Sequence, residues 1–271
     1  MKKYWTVAAM GWQDSLVYRF NALIWVLYAV LPAITLMLVW RAKYATSATA
    51  LSPGGLTLTQ MTTYYLCVTA LSVMITPHPE WEMASQIRDG KITGFIVRPI
   101  GYFGYRLSQE TSYQVVKSAM MLPALGLMIL IFHADLRLPP FDAARGGLFF
   151  LASLLAYALL TQMKFLLGLS AFWISEPGGF LELWNVLTSV LGGRLLPITE
   201  LAKPFPWIAS VSGILPFASL YSFPTRIFLG LAAPQEIAQG FAIQIVWLAA
   251  LSLLVRVAWR RGLLAYEGYG G

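Results

Sequence analysis

Residues 22–40, ALIWVLYAVLPAITLMLVW, run for nineteen positions without a charged side chain, and residues 59–77 do the same. As an α-helix such a segment is long enough to cross the roughly 30 Å hydrocarbon layer of a bilayer. Backbone N–H and C=O groups find no water there, so only helices and closed barrels span it. Further apolar segments at 113–132, 147–173, 180–196 and 237–257 bring the expected spans to six. Charged residues are 11% of the chain, against about a quarter in an ordinary soluble domain. The sequence thus describes an all-α, multi-pass membrane protein with one transmembrane domain over residues 1–271.

The segments between the spans are just as specific. In residues 4–20, Trp5, Ala8, Ala9, Trp12, Leu16 and Phe20 recur at helical spacing opposite Lys3, Thr6 and Gln13. This predicts an amphipathic helix lying in the membrane interface. Pro32 is expected to kink the first span. Residues 197–236 are apolar but hold Pro197, Pro204, Pro206, Pro216, Pro224 and Pro234, too many for one spanning helix. Short re-entrant helices in the outer half of the bilayer suit them.

Between the second and third spans lies a charged island, ASQIRDGKITGFIVRPIGYFGYRLSQE (84–110), with four of the nineteen Lys and Arg residues. Just before it, Glu80 and Glu82 suit the start of a short helix that runs into it. Asp89-Gly90 suits its end, because Gly closes helices in the left-handed conformation. A second turn is expected between Lys91 and Pro99. With both termini inside, eleven basic residues, Lys117 among them, fall on the cytoplasmic side and seven outside. This bias favours cytoplasmic termini and a cytoplasmic island.

The segment IRDGKITGFIVRPIGYFGYRL resembles the first cytoplasmic loop of ABC-2-type transporter permeases, a family that includes drug and viologen efflux permeases. The run LLPITELAKPFPWIASVSGILPFASLYSFPTRIFLG resembles that family's outer re-entrant region, and the tail AWRRGLLAYEGYGG its C-terminal ending. The resemblance implies two permease subunits, identical or homologous, resting on separate ATP-binding-cassette ATPases in the bacterial inner membrane. It also implies a coupling element over residues 80–98, built on Glu82, Arg88, Asp89, Gly90, Lys91 and Arg98, that docks on the ATPase. ATP and Mg would then belong to the partner, since this chain has no GxxxxGK[ST] phosphate loop.

No residues are spaced for catalysis, and the lone Cys67 and the distant His78 and His133 offer no metal cluster. Nothing points to nucleic acid. A small-molecule cargo is expected to meet Trp25, Tyr28, Tyr64, Tyr65, Trp184, Asn185 and Thr188. Arg194 and Glu200 are expected at an outer gate or in a local salt bridge. Lys164, inside a span, is expected to snorkel or to pair with Glu110, Glu176 or Glu182. An amphipathic or cationic cargo leads, with a lipid or glycan precursor as the alternative. An ion-gradient transporter is disfavoured because no Asp or Glu occupies the middle of an expected span.

Overall fold

The computed structural model describes residues 2–17, 19–46, 51–96, 100–140 and 142–266; Arg98 and the last residues of the tail lie outside them. Twelve α-helices occur in chain order among the described residues, which contain no strand: α1 Lys2–Val17, α2 Arg19–Thr46, α3 Leu58–Ile75, α4 Pro79–Arg88, α5 Thr93–Ile96, α6 Tyr102–Phe132, α7 Ala143–Leu169, α8 Gly178–Leu191, α9 Ile198–Ala202, α10 Pro206–Ile214, α11 Ser222–Phe228 and α12 Pro234–Ala265.

Among the described residues, five stretches are long and apolar enough to cross a membrane: Leu23–Thr46, Leu58–Arg88, Tyr102–Phe132, Ala143–Phe172 and Pro234–Ala265. The expected span at 180–196 is not a sixth of that kind. α8 has 14 residues, a rise of about 21 Å, and ends where Gly192 and Gly193 turn the chain, Gly193 with φ +82°. Helix α6 begins at Tyr102, not near residue 113, so much of the island belongs to a helix. The reason is α1, which lies along that end of α6: Ser112 donates to Ala8 O at 2.8 Å, and Gly11 lets the two backbones close up. Trp5, Met10, Trp12 and Val17 are left exposed on α1.

Prolines start helices here rather than break them. Pro79, Pro206 and Pro234 occupy first turns, where their missing N–H is not needed. Capping is equally local: Thr57 and Gln60 cap α3 reciprocally, and Asp142 caps α7. Both α2 and α6 carry an interior proline, Pro32 and Pro123, and continue through it.

The helices give the bundle two ends. At one, Gly90 turns the chain after α4 with φ +76°, Arg88 meets Glu176 at 3.2 Å, and Tyr102 stacks on Trp259 of α12. Met83, Ile87, Phe165 and Leu169 fill a small core there. At the other, Glu200 of α9 accepts from Ser52 and from Gly54 N–H, and Ser222 N–H meets Gly192 O at 3.0 Å. The main core between the ends is built around α3, with Met61, Tyr64 and Tyr65 almost fully buried. Gln244 of α12 ties α7 to the turn before α11 by donating to Ala152 O and Ser219 O, each at 3.0 Å.

Seating α4 on α7 depends on Gly168, where a Cβ would lie 2.8 Å from Met83 Cβ and 3.2 Å from Glu80 Cα. Gly168→Val is expected to destabilise the purified protein by about 1–3 kcal/mol, read as a lower unfolding temperature. Gly126→Val on α6, where a Cβ meets open space, is the control and is expected to shift it little.

Candidate functional site

Helices α3 and α4 form one membrane-length stretch interrupted at Thr76-Pro77-His78. Pro77 has no N–H to continue α3, and the turn strands the last carbonyls of α3 and the first N–H groups of α4. One face of α6 meets both. Gln114 donates to Val73 O, and Lys117 Nζ donates to Thr76 O at 3.0 Å. Glu110 accepts from His78 N–H at 3.2 Å. Positions 110, 114 and 117 follow helical spacing, so a single stripe services the break. Tyr221 adds a 2.9 Å bond to the Thr76 hydroxyl, and the His78 ring sits 4.7 Å from that of Trp25.

Below the break, Glu80 and Lys164 form a fully buried pair at 2.6 Å. Lys164 also donates to Asn185 of α8 at 2.7 Å, so one ammonium joins α4, α7 and α8. The sequence expectation that Lys164 snorkels or pairs with Glu110, Glu176 or Glu182 is corrected, because its carboxylate partner is Glu80. Glu110 belongs to Arg106 at 3.5 Å, Glu176 to Arg88, and Glu182 is exposed. No Asp or Glu occupies the middle of an expected span, but Glu80 and Glu110 sit inside the longer membrane-length helical stretches of the structure. Each faces a cation.

Beside this network lies a cavity of about 300 Å³ between α2, α3, α6, α7 and α8. Trp25, Tyr28, Asn185, Thr188 and Arg194 line it, together with Ser72, Thr76, His78, Lys117 and Lys164. A second cavity of about 220 Å³ adjoins it and shares Tyr28, Ser72, Ser189 and Arg194. Both exist because α8 stands off from its neighbours. Trp25 and Tyr28 are 41% and 64% exposed, so the larger cavity opens beside α2.

Other expected cargo residues are elsewhere. Tyr64 is core and donates to Gly193 O at 2.6 Å. Tyr65 borders only the smaller cavity, its hydroxyl held by Leu195 O at 3.1 Å. Trp184 packs on Phe217, ring centres 5.5 Å apart. Arg194 and Glu200 make no salt bridge: Arg194 donates to Ser189 at 2.6 Å, while Glu200 holds the loop at Ser52. Among the described residues no group of three His, Cys, Asp or Glu side chains could hold a metal ion.

A family model of ABC-2 family transporter proteins matches residues 30–270, from within α2 past the end of α12. The chain belongs to that family. No curated protein and no solved structure matches it. Its place in the ABC-2 family makes it the membrane permease component of an ABC transporter, whose ATPase activity resides on a partner. The matched residues exclude α1 and include the island, the broken α3–α4 stretch and the cavity apart from its wall at Ile24, Trp25, Tyr28 and Ala29.

In this ABC-2 chain the residues expected to couple to an ATPase fall, where described, on and around one exposed tip. Glu82, Arg88, Asp89 and Lys91 are exposed, and Gly90 makes the turn. Lys91 donates to Asp89 at 2.9 Å, and Ser85 to the same carboxylate at 3.1 Å. These bonds hold the Asp89 carboxyl below its usual range, and the same contact raises Lys91, so both stay charged near neutral pH. Lys117 was missed as a site residue. It counts as cytoplasmic in the topology tally, yet lies mid-way along α6, buried, so eleven inner cations become ten. The readable signal was a lysine within an otherwise apolar span.

Breaking the buried pair should be costly, because the remaining charge has no water to turn to. Glu80→Met or Lys164→Met alone is expected to destabilise by roughly 3–5 kcal/mol, and the double change by clearly less than either. Chemical unfolding in detergent, run as a double-mutant cycle, measures it.

Proposed function

We propose that this chain is the permease subunit of an ATP-driven exporter for amphipathic small molecules in a bacterial inner membrane. Separate ATP-binding-cassette subunits supply ATP and Mg chemistry, and a second permease, identical or homologous, completes the pathway. The observation that carries the reading is the pair of adjoining cavities. They are walled by α2, α3 and α8, lined with both aromatic and polar groups, and open toward the bilayer or a second subunit at Trp25 and Tyr28. Apolar walls with a few convergent polar groups are the usual make-up of a ligand site.

On this reading α8 is a short sixth crossing. It starts beside Glu176, near the Arg88 tip, and ends against Tyr64 near the other end of α3. Six crossings put α1, the Gly90 tip and the end of α12 together at the cytoplasmic face. Helix α1, with Trp5, Met10 and Trp12 exposed, lies as an elbow in the inner interface. Helices α9 to α11 form the outer re-entrant cap. Residues 80–98 are the coupling element, and the exposed Asp89-Gly90-Lys91 tip enters the ATPase.

Of the cargo classes the sequence suggests, the amphipathic one suits the cavity. A bare cation would face Lys117, Lys164 and Arg194, and the Trp25 face is already occupied by His78. The lipid or glycan precursor remains the second reading, favoured by the opening beside α2.

The test exchanges the tip's charges while keeping their contact. Asp89→Lys with Lys91→Asp preserves an internal ion pair but inverts what a partner meets. The native chain, purified from its host in mild detergent, is expected to bring down an ATP-binding subunit. The exchanged chain is expected to recover roughly tenfold less, with its own unfolding temperature unchanged. An intact chain that co-purifies with no ATPase overturns the reading.

A further inference from the structure

We propose that the larger cavity binds the acidic head group of an amphiphile, carboxylate or phosphate, with Lys117 and Arg194 as its anchors. This rests on the reading of the chain as a permease and names the cargo chemistry of the same cavity.

Charge is the first argument. Three basic side chains line the cavity, Lys117, Lys164 and Arg194, against one carboxylate, Glu182, which is exposed. Lys164 is neutralised by Glu80 at 2.6 Å. Glu110, the other buried carboxylate nearby, is engaged by Arg106 at 3.5 Å and by His78 N–H. Among the described residues no carboxylate oxygen lies within 4.0 Å of Lys117 Nζ or of the Arg194 guanidinium. With Glu80 set against Lys164 and Glu182 against one of the other two, the cavity keeps an excess of one positive charge.

Unused donors are the second. An ammonium has three N–H donors, and a guanidinium five in a planar fork that matches carboxylate and phosphate oxygens. Lys117 gives a bond to Thr76 O, and Arg194 to the Ser189 hydroxyl. A lysine this buried at the middle of a membrane-length helix is expensive without an anion or water beside it.

Shape is the third. Ile24, Trp25, Ala29 and Leu160 give the same cavity an apolar wall. Its 300 Å³ equals about ten waters of liquid volume, enough for a head group and the first part of a chain. The rest of an acyl or aromatic tail leaves through the opening beside α2.

Binding of dodecyl phosphate to the purified chain in phosphatidylcholine nanodiscs, followed by calorimetry, tests this without any ATPase. Dodecyltrimethylammonium is the opposite-sign probe. Dodecyl phosphate is expected to bind saturably and the ammonium probe much more weakly. Arg194→Gln is expected to weaken phosphate binding roughly tenfold, the loss of one charge-assisted bond. Glu182→Gln removes the opposing charge and is expected to tighten binding several-fold, a gain that a misfolded protein could not show.

Repeating the measurement in phosphatidylglycerol nanodiscs separates the two sources of such a head group. Loss of dodecyl phosphate binding there identifies membrane phospholipid as the occupant; unchanged binding identifies a soluble acidic amphiphile. Either result upholds the acidic head-group site. Equal or tighter binding of the ammonium probe, or phosphate binding indifferent to both substitutions, overturns it, as does no binding of either probe. None of these outcomes touches the permease reading, which stands or falls with ATPase co-purification.

Discussion

A helix that stops and restarts inside a bilayer must find partners for backbone groups that water would otherwise satisfy. Here the interruption at Thr76-Pro77-His78 is met by Gln114, Lys117 and Glu110 from one stripe of α6. Those three residues fix how α6 lies against α3 and α4. With α4 turned in beneath α3, Glu80 reaches Lys164, and Lys164 reaches Asn185. The position of α8, and with it the cavity, follows from that chain of contacts. An uninterrupted α3 would have no reason to recruit buried charges at all.

The same arrangement links the exposed tip to the cavity, the two parts that the proposed function uses. Helix α4 carries the exposed Asp89-Gly90-Lys91 tip at one end and the Glu80 contact at the other, ten residues apart over about 15 Å. On the proposed reading, a push on the tip would reach Lys164 and Asn185 at the cavity wall through this one helix. Gly168 lets α4 sit directly on the backbone of α7.

Much of this was legible in the sequence where the signal is local. Uncharged runs announced helices α2 and α3, Asp89-Gly90 announced the turn after α4, and the prolines of 197–236 announced short helices. What was not legible depends on which residues meet across the fold. Lys164 could have reached several carboxylates, and only the packing of α4 onto Gly168 selects Glu80. Tyr64 and Tyr65 read as aromatic candidates for cargo, but the Gly192-Gly193 turn brings carbonyls to their hydroxyls and buries them as core. Helix α8 ends early because Gly193 adopts positive φ, which apolar composition alone does not reveal. Lys117 was misassigned because a basic residue near a span boundary looks like a topology signal until the helix proves to start at Tyr102.

The central claim is that α8, although short, crosses the membrane, so that the Gly90 tip and the α9–α11 cap face opposite compartments. The direct measurement is side-specific labelling with a membrane-impermeant thiol reagent, in a chain whose buried Cys67 is replaced by alanine. Single cysteines are placed at the exposed positions Lys91→Cys and Lys203→Cys. The account predicts that Lys203→Cys is labelled in intact cells and Lys91→Cys only after the membrane is opened. Labelling of both positions from the same side would contradict it.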